Sequence, residues 1–179
     1  MNKKIVAAGL ALSSLVLCGS ALAADVKLVF KGEVSPSTCK IADLGTDGVM
    51  QVDLTPVSVG ALANQNDVAG RKLVALNLTG CTGGKVHTRF NRDSNVDPST
   101  GALINQAPAQ GGQDASSAQV QLLNSKYQPI NLFTGDGAET VSIDGGTAKL
   151  EFYAQYLAAT AGTTPGLVQT EVLLDLIYE

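Results

Sequence analysis

The feature that most constrains the fold of this chain is a series of short apolar runs separated by turn residues. In "VMQVDL" (49–54) apolar and polar residues alternate, and "KLVALNLTGC" (72–81) and "TEVLLDLIYE" (170–179) repeat apolar residues at every second position. A period of two is that of an extended strand. Similar runs occur at 85–91, 118–124, 129–133, 139–143 and 148–158. Gly, Asn, Asp or Pro lies in nearly every gap, which is typical of an all-β sandwich.

Two segments depart from this pattern of strands. Residues 59–70, "VGALANQNDVAG", predict a short helix or 3₁₀ turn. Residues 93–117 are rich in small residues and predict a long loop that projects from one end or edge of the sandwich.

Residues 1–23 have the features of a secretory signal peptide. Lys3 and Lys4 precede an apolar stretch, and "ALA" at 21–23 is a small-x-small cleavage pattern. An uncleaved membrane anchor is the alternative, but the stretch is shorter than the roughly 20 apolar residues of a spanning helix. Lipid modification of Cys18 is disfavoured because Leu17, a large residue, precedes it. We therefore expect export, with no membrane span in the mature chain and one domain of 179 − 23 = 156 residues.

The cysteine count and the net charge argue against a zinc site and against nucleic-acid binding. Removal of the leader leaves Cys39 and Cys81, and an even count in an exported protein predicts a disulfide. No C-x-x-C motif or nearby histidine supports a zinc site. Loss of the two leader lysines changes the formal net charge from −4 to −6. An acidic chain with scattered Lys and Arg has no electrostatic footprint for nucleic acid.

The two ends of the mature chain pose a question about strand pairing. "ADVKLVFKGEV" (24–34) alternates apolar and polar residues, and only Val29 interrupts the alternation. The run at 170–179 is partly apolar on both faces, as in a buried strand, yet no residue follows it to cover its free edge. The opening strand could complete its own sheet. It could instead supply a missing strand to another domain.

Several motifs, in this order, resemble the major pilins of chaperone–usher fimbriae, the type 1 fimbrial subunits. They are "FKGEV…C" (30–39), "LTGC" (78–81), "VQLLN" (120–124), "FYAQYLA…TPG" (152–166) and a penultimate tyrosine. The resemblance implies an incomplete immunoglobulin-like sandwich, a six-stranded pilin fold that lacks its last strand. It also implies an N-terminal donor-strand extension at 24–35, ahead of a pilin domain at 36–179.

The resemblance further implies the partners and the site residues. The extension of one subunit would fill the groove of the next identical subunit. A periplasmic chaperone and an outer-membrane usher would assist this assembly, and the product would be a fimbrium on the bacterial cell surface. Cys39 and Cys81 match the family's disulfide pair. Gly32 matches the donor-strand glycine, whereas Pro36 departs from the pattern and leaves the end of the donor strand open. The implied donor-strand residues are Val26, Leu28, Phe30, Gly32 and Val34, and the implied groove and chaperone-contact residues are Val172, Leu174, Leu176, Tyr178 and Glu179.

Other functions have weaker support. His87 is the single histidine and no G-x-S-x-G motif occurs, so we expect neither an enzyme nor a cofactor. Asp93, Asn95 and Asp97 partly match a calcium loop, but Pro98 occupies the position of its essential glycine, which favours an Asx turn. A minor or adaptor pilus subunit and an exported β-sandwich ligand-binding module stay open as alternatives.

Overall fold

A computed structural model describes residues 39–42, 44–92, 95–108 and 115–179. This part of the chain is all-β, as the sequence predicts, with a 3₁₀ turn at Val59–Leu62 inside the predicted segment. The strands are β1 (Lys40–Ile41), β2 (Val68–Thr79), β3 (Lys85–Phe90), β4 (Gln119–Leu123), β5 (Thr140–Ser142), β6 (Thr147–Leu157) and β7 (Leu174–Tyr178).

The strands form two antiparallel sheets, in the orders β1-β2-β6-β4 and β5-β3-β7. The longest ladder joins β2 to β6 and contains an irregularity between Ala69 and Lys72. Gly70 lies in this bulge with a positive φ of 68°. A Cβ there would lie 3.0 Å from the Tyr156 ring, so glycine suits both the backbone angle and the close packing.

The core lies between the two sheets. Alternate residues of β2, β3 and β6 point inward and are buried, as the strand period requires. Phe90 of β3 and Phe152 of β6 meet edge to face, with ring centroids 5.8 Å apart, and this contact joins the two layers. Cys39 and Cys81 form the predicted disulfide. Cys39 directly precedes β1 and Cys81 lies two residues after the end of β2, so the bond joins the ends of these two strands.

Two predicted strands are absent from the described part of the chain. In residues 49–54 only Met50 and Leu54 are partly buried against the core, Val52 is exposed, and the segment forms no ladder. Residues 129–133 contribute only an isolated bridge, Leu123 to Pro129. The side-chain oxygen of Asn131 accepts hydrogen bonds from the backbone N–H groups of Phe133 and Thr134, and so closes a turn. Alternation reports which side chains are buried, whereas a strand also needs a partner for its backbone.

The prediction of a projecting loop is wrong for residues 95–108. Val96, Ala102, Leu103 and Ala107 are buried, and Leu103 exchanges both backbone hydrogen bonds with Val120 of β4. The segment therefore covers an edge that would otherwise be open. Within it, the predicted Asx turn is present, because Asp97 Oδ1 accepts a hydrogen bond from the Ser99 backbone N–H at 2.8 Å.

Candidate functional site

The most informative site is the outer edge of β7, the last strand. Among the described residues β7 pairs only with β3, in the register Val86–Tyr178, Thr88–Leu176 and Phe90–Leu174. Its second edge has no strand partner in that part of the chain. An edge of this kind presents backbone donors and acceptors to an added strand.

The alternation of hydrogen bonds along the β3–β7 ladder shows which β7 residues direct their backbone groups toward the open edge. Lys85 and Glu179 exchange both backbone hydrogen bonds, each at 3.0 Å. Because hydrogen-bonded and non-hydrogen-bonded pairs alternate in an antiparallel ladder, Leu174, Leu176 and Tyr178 direct their N–H and C=O groups away from β3. These residues therefore combine inward side chains with an outward backbone.

Burial differs sharply between the two strands on this face. Val86, Thr88 and Phe90 of β3 are 0%, 3% and 6% exposed, whereas their partners on β7 are only partly buried. Leu174, Leu176 and Tyr178 pack against the main core cluster from its margin. The apolar core is therefore only partly covered from solvent along β7. We call this margin, formed by Leu174, Leu176, Tyr178 and the outer edge of their strand, the β7 groove.

The floor of the groove contains a polar group that the sequence analysis did not single out. Thr88 alternates with Val86 and Phe90 in "KVHTRF" and points inward. Its hydroxyl is buried and has no hydrogen-bond partner within the described structure. The signal in the sequence was a polar residue at an inward position of an otherwise apolar face.

Two kinds of hydrogen bond hold the C-terminal end of β7. The Tyr178 hydroxyl accepts a hydrogen bond from the Cys39 backbone N–H at 3.1 Å. The backbone carbonyl of Glu179 accepts from the N–H groups of Gly84 and Lys85. His87 Nδ1 lies 3.6 Å from Glu179 Oε1, too far for a hydrogen bond, and the pair attracts only when the imidazole is protonated. This end of the groove is therefore preorganised next to the disulfide.

The structure brings together most, but not all, of the residues implied by the sequence. Leu174, Leu176 and Tyr178 share one face of β7, Val172 precedes the strand and is partly buried, and Glu179 follows it. The implied donor-strand residues fall outside the described part of the chain: Val26, Leu28, Phe30, Gly32 and Val34.

Other kinds of site find little support in the described residues. None of their His, Cys, Asp and Glu side chains form a group of three that could hold a metal ion. No helix among them is long and apolar enough to cross a bilayer. His87, the single histidine, lies on β3 with its Nδ1 atom buried.

The chain is similar in sequence to a fimbrial protein. It is 41% identical over 167 residues to the major fimbrial subunit SMF-1 of Stenotrophomonas maltophilia (strain K279a), which covers 89% of this chain and 95% of that protein. No family model matches the chain.

Solved structures of pilus proteins, among them the following two, share its fold. One is a chaperone–usher pilus structure, with a TM-score of 0.59, 18% identity and coverage of 86% of this chain and 95% of the other. The second is the P pilus rod subunit PapA, also with a TM-score of 0.59, at 17% identity over 79% of this chain and 99% of the other. At this level of identity the structural likeness concerns the fold.

Proposed function

The chain belongs to the major fimbrial subunits of chaperone–usher pili, and from this membership we propose that it polymerises head to tail by donor-strand exchange. It is a structural subunit of a surface pilus. In the proposed step, residues 24–34 of one copy enter the β7 groove of the next copy. The alternating face formed by Val26, Leu28, Phe30, Gly32 and Val34 covers the partly buried face of β7.

One observation supports this proposal above the others, the difference in burial between β3 and β7. Residues that pair across this ladder differ in burial because β3 has a strand on each side, β5 and β7, whereas β7 has only β3 within the described residues. An added strand gives the outward backbone groups of Leu174, Leu176 and Tyr178 hydrogen-bond partners. Each apolar side chain that it buries fully contributes about 1.5–3 kcal/mol.

The arrangement of donor and acceptor favours a filament. The donor segment and the β7 groove are different surfaces of one chain, so the contact is heterologous and leaves a free donor and a free groove at the two ends. Repetition of a heterologous contact that does not close gives an open fibre. Such a subunit needs no catalytic group, and we propose that it is not an enzyme.

The same groove defines the assembly partners that we propose. Before polymerisation a periplasmic chaperone lends a strand to the β7 groove and binds the Glu179 carboxylate through basic residues, and an outer-membrane usher then directs the exchange. The proposed route begins with removal of residues 1–23 and ends in a fimbrium on the cell surface. Residues 24–35 act as the donor extension and residues 36–179 as the pilin domain.

A strand-addition experiment tests the proposal directly. A variant that begins at Ser35 is heated with and without a synthetic peptide of residues 24–34, and the midpoint of thermal unfolding is recorded. We expect a large upward shift that develops slowly, because the peptide completes the core. A matched peptide with Phe30→Asp places a charge on the inserted face and is expected to give little shift. An unchanged midpoint with the native peptide, in a domain that is already stable and monomeric, would overturn the proposal.

A further inference from the structure

A polar cleft lies on the outer face of the β1-β2-β6-β4 sheet, away from the core. Its volume is about 780 Å³, and Gln121, Gln155 and Leu157 contribute to its floor. Gln121 of β4 pairs with Gln155 of β6, while their sequence neighbours Val120 and Ala154 belong to the core. Alternation along each strand therefore directs both glutamines away from the core. The cleft belongs to the sheet that does not contain β7, so it is a different surface from the groove proposed for strand exchange.

The two glutamines of the floor belong to an ordered row of side chains from three adjacent strands, which Arg71 of β2 begins beside the cleft. Arg71 Nε donates to Gln155 Oε1 at 3.0 Å, and Gln155 Nε2 donates to Gln121 Oε1 at 2.8 Å. Because each side chain donates to the next, the row ends with the NH₂ group of Gln121, which has no protein partner in the described structure. Strand spacing places successive members about 4.8 Å apart. The cleft thus presents a fixed hydrogen-bond donor to any molecule that enters it.

Tyr127 forms one rim of the cleft and is held there at a conformational cost. Its φ is 62°, a left-handed value that is unusual for an aromatic residue, and it is 53% exposed. Its ring centroid lies 4.6 Å from that of Tyr153 and 4.9 Å from Arg71 Cζ. An exposed ring on a strained backbone, with Arg71 over its face and Tyr153 tilted against it, is the kind of outlier that suggests a functional site.

The opposite rim supplies hydroxyl and carboxylate groups. Thr100 Oγ1 donates to Gln119 Oε1, and Gln119 Nε2 donates to Asp97 Oδ2, both at 2.7 Å. The Gln119 side chain is buried, so this rim is as firmly held as the floor. Asp97 is the charged residue among the described side chains that line the cleft, and the Arg71 guanidinium adds a positive charge beside its floor. Because charges of both signs lie close together, the cleft suits a neutral ligand that both donates and accepts hydrogen bonds.

We propose that this cleft binds a neutral oligosaccharide along the assembled fibre. A sugar hydroxyl both donates and accepts hydrogen bonds, which matches the amide of Gln121 and the carboxylate of Asp97. The C–H faces of a sugar ring are apolar, which matches the exposed Val68 side chain and the exposed part of the Tyr127 ring. Concave shape with a few fixed polar groups is characteristic of small-ligand sites, whereas protein interfaces between globular partners have apolar, well-packed centres.

The test measures saccharide binding to the mature chain and to sheared fibres by ligand-observed NMR. Mannotriose, chitotriose and lactose serve as the probes. We expect at least one of them to saturate both forms with a dissociation constant of about 1 mM. Gln121→Leu is expected to weaken that binding about tenfold or more, because it removes the fixed donor. Thr140→Ala, an exposed change on β5 in the other sheet, is the matched control and leaves binding unchanged.

Tyr127→Gly separates binding from folding. Glycine adopts a positive φ without strain, so this variant is expected to fold and to keep the thermal midpoint of the parent protein or exceed it, while losing saccharide affinity. Failure of all three probes to saturate would overturn the proposal, as would parental affinity in both Gln121→Leu and Tyr127→Gly. Binding to the free chain but not to fibres would also overturn it. The same holds if Tyr127→Gly blocks fibre growth, because the cleft would then be a contact between subunits.

Discussion

The backbone N–H of Cys39 donates a hydrogen bond to the hydroxyl of Tyr178, 139 positions away, across 3.1 Å. Cys39 is disulfide-bonded to Cys81, and Tyr178 ends β7, so the contact ties the last strand to the covalent staple of the domain. A penultimate tyrosine therefore has a structural role besides its place in the groove. It fixes the end of the strand whose outer edge is open in the described structure.

Tyr178→Phe tests the strength of this tie. The change keeps the ring but leaves the partly buried Cys39 N–H without its partner, and we expect a loss of about 1 kcal/mol in the free energy of unfolding. The measurement is urea unfolding of the oxidised mature chain. Tyr156→Phe is the control, since no partner is recorded for that hydroxyl among the described residues, and it is expected to change stability by less than about 0.5 kcal/mol. Equal effects of the two changes would contradict the assigned role.

Phe30→Asp and Lys31→Asp together test the facing of the donor segment. The two positions are adjacent, so on an extended strand they point to opposite sides. We expect Phe30→Asp to block fibre formation because it would place a carboxylate in an apolar groove, whereas Lys31→Asp is tolerated. Fibre yield in surface material released by shearing is the measurement. Equal tolerance of both changes would show that the donor strand has been assigned wrongly.

Gly137→Ala probes the turn that replaces the strand predicted at 129–133. Gly137 has a φ of 87°, and a Cβ there would lie 2.6 Å from the Pro129 carbonyl oxygen. Gly135 has a similar φ of 85° with open space around it, so Gly135→Ala is a matched control for backbone strain alone. We expect about 1–2 kcal/mol of destabilisation from strain in each case. Gly137→Ala is expected to cost at least about 1 kcal/mol more in chemical denaturation, owing to overpacking.

Asp97 links stability to acid pH. Hydrogen bonds from the Ser99 hydroxyl, the Gln119 amide and the Ser99 backbone lower the pKa of this carboxyl below its ordinary value of 3.8. Because the folded pKa is the lower one, the stabilisation is complete above the unfolded pKa and is lost as pH falls through the folded pKa.

Asp97→Asn should therefore flatten the fall of the unfolding midpoint between about pH 5 and pH 2. Asp53→Asn removes an exposed carboxylate with no side-chain hydrogen bond recorded among the described residues, and it is the control for a simple change of net charge. An acid profile of Asp97→Asn that coincides with that of the parent chain would contradict the prediction.

The sequence by itself determined the strand class, because a period of two needs no knowledge of neighbours. Alternation alone left both faces of 170–179 partly apolar, and the resemblance to pilins was what pointed to Leu174, Leu176 and Tyr178, whereas the even cysteine count correctly indicated the disulfide. These features are local, or depend on counting, and side-chain polarity encodes them directly. The residues 24–34 remain a prediction, because they lie outside the described part of the chain.

Only the tertiary structure decided which patterned segments acquire a partner. Residues 49–54 alternate as well as any true strand yet form no ladder, while 95–108 carry few strand signals yet pack Leu103 onto β4. The orphaned hydroxyl of Thr88 and the cleft beside Tyr127 likewise arise from groups that are distant in sequence. The physical reason is that a backbone hydrogen bond or a buried contact needs two participants, and the alternation of one segment specifies only its own half.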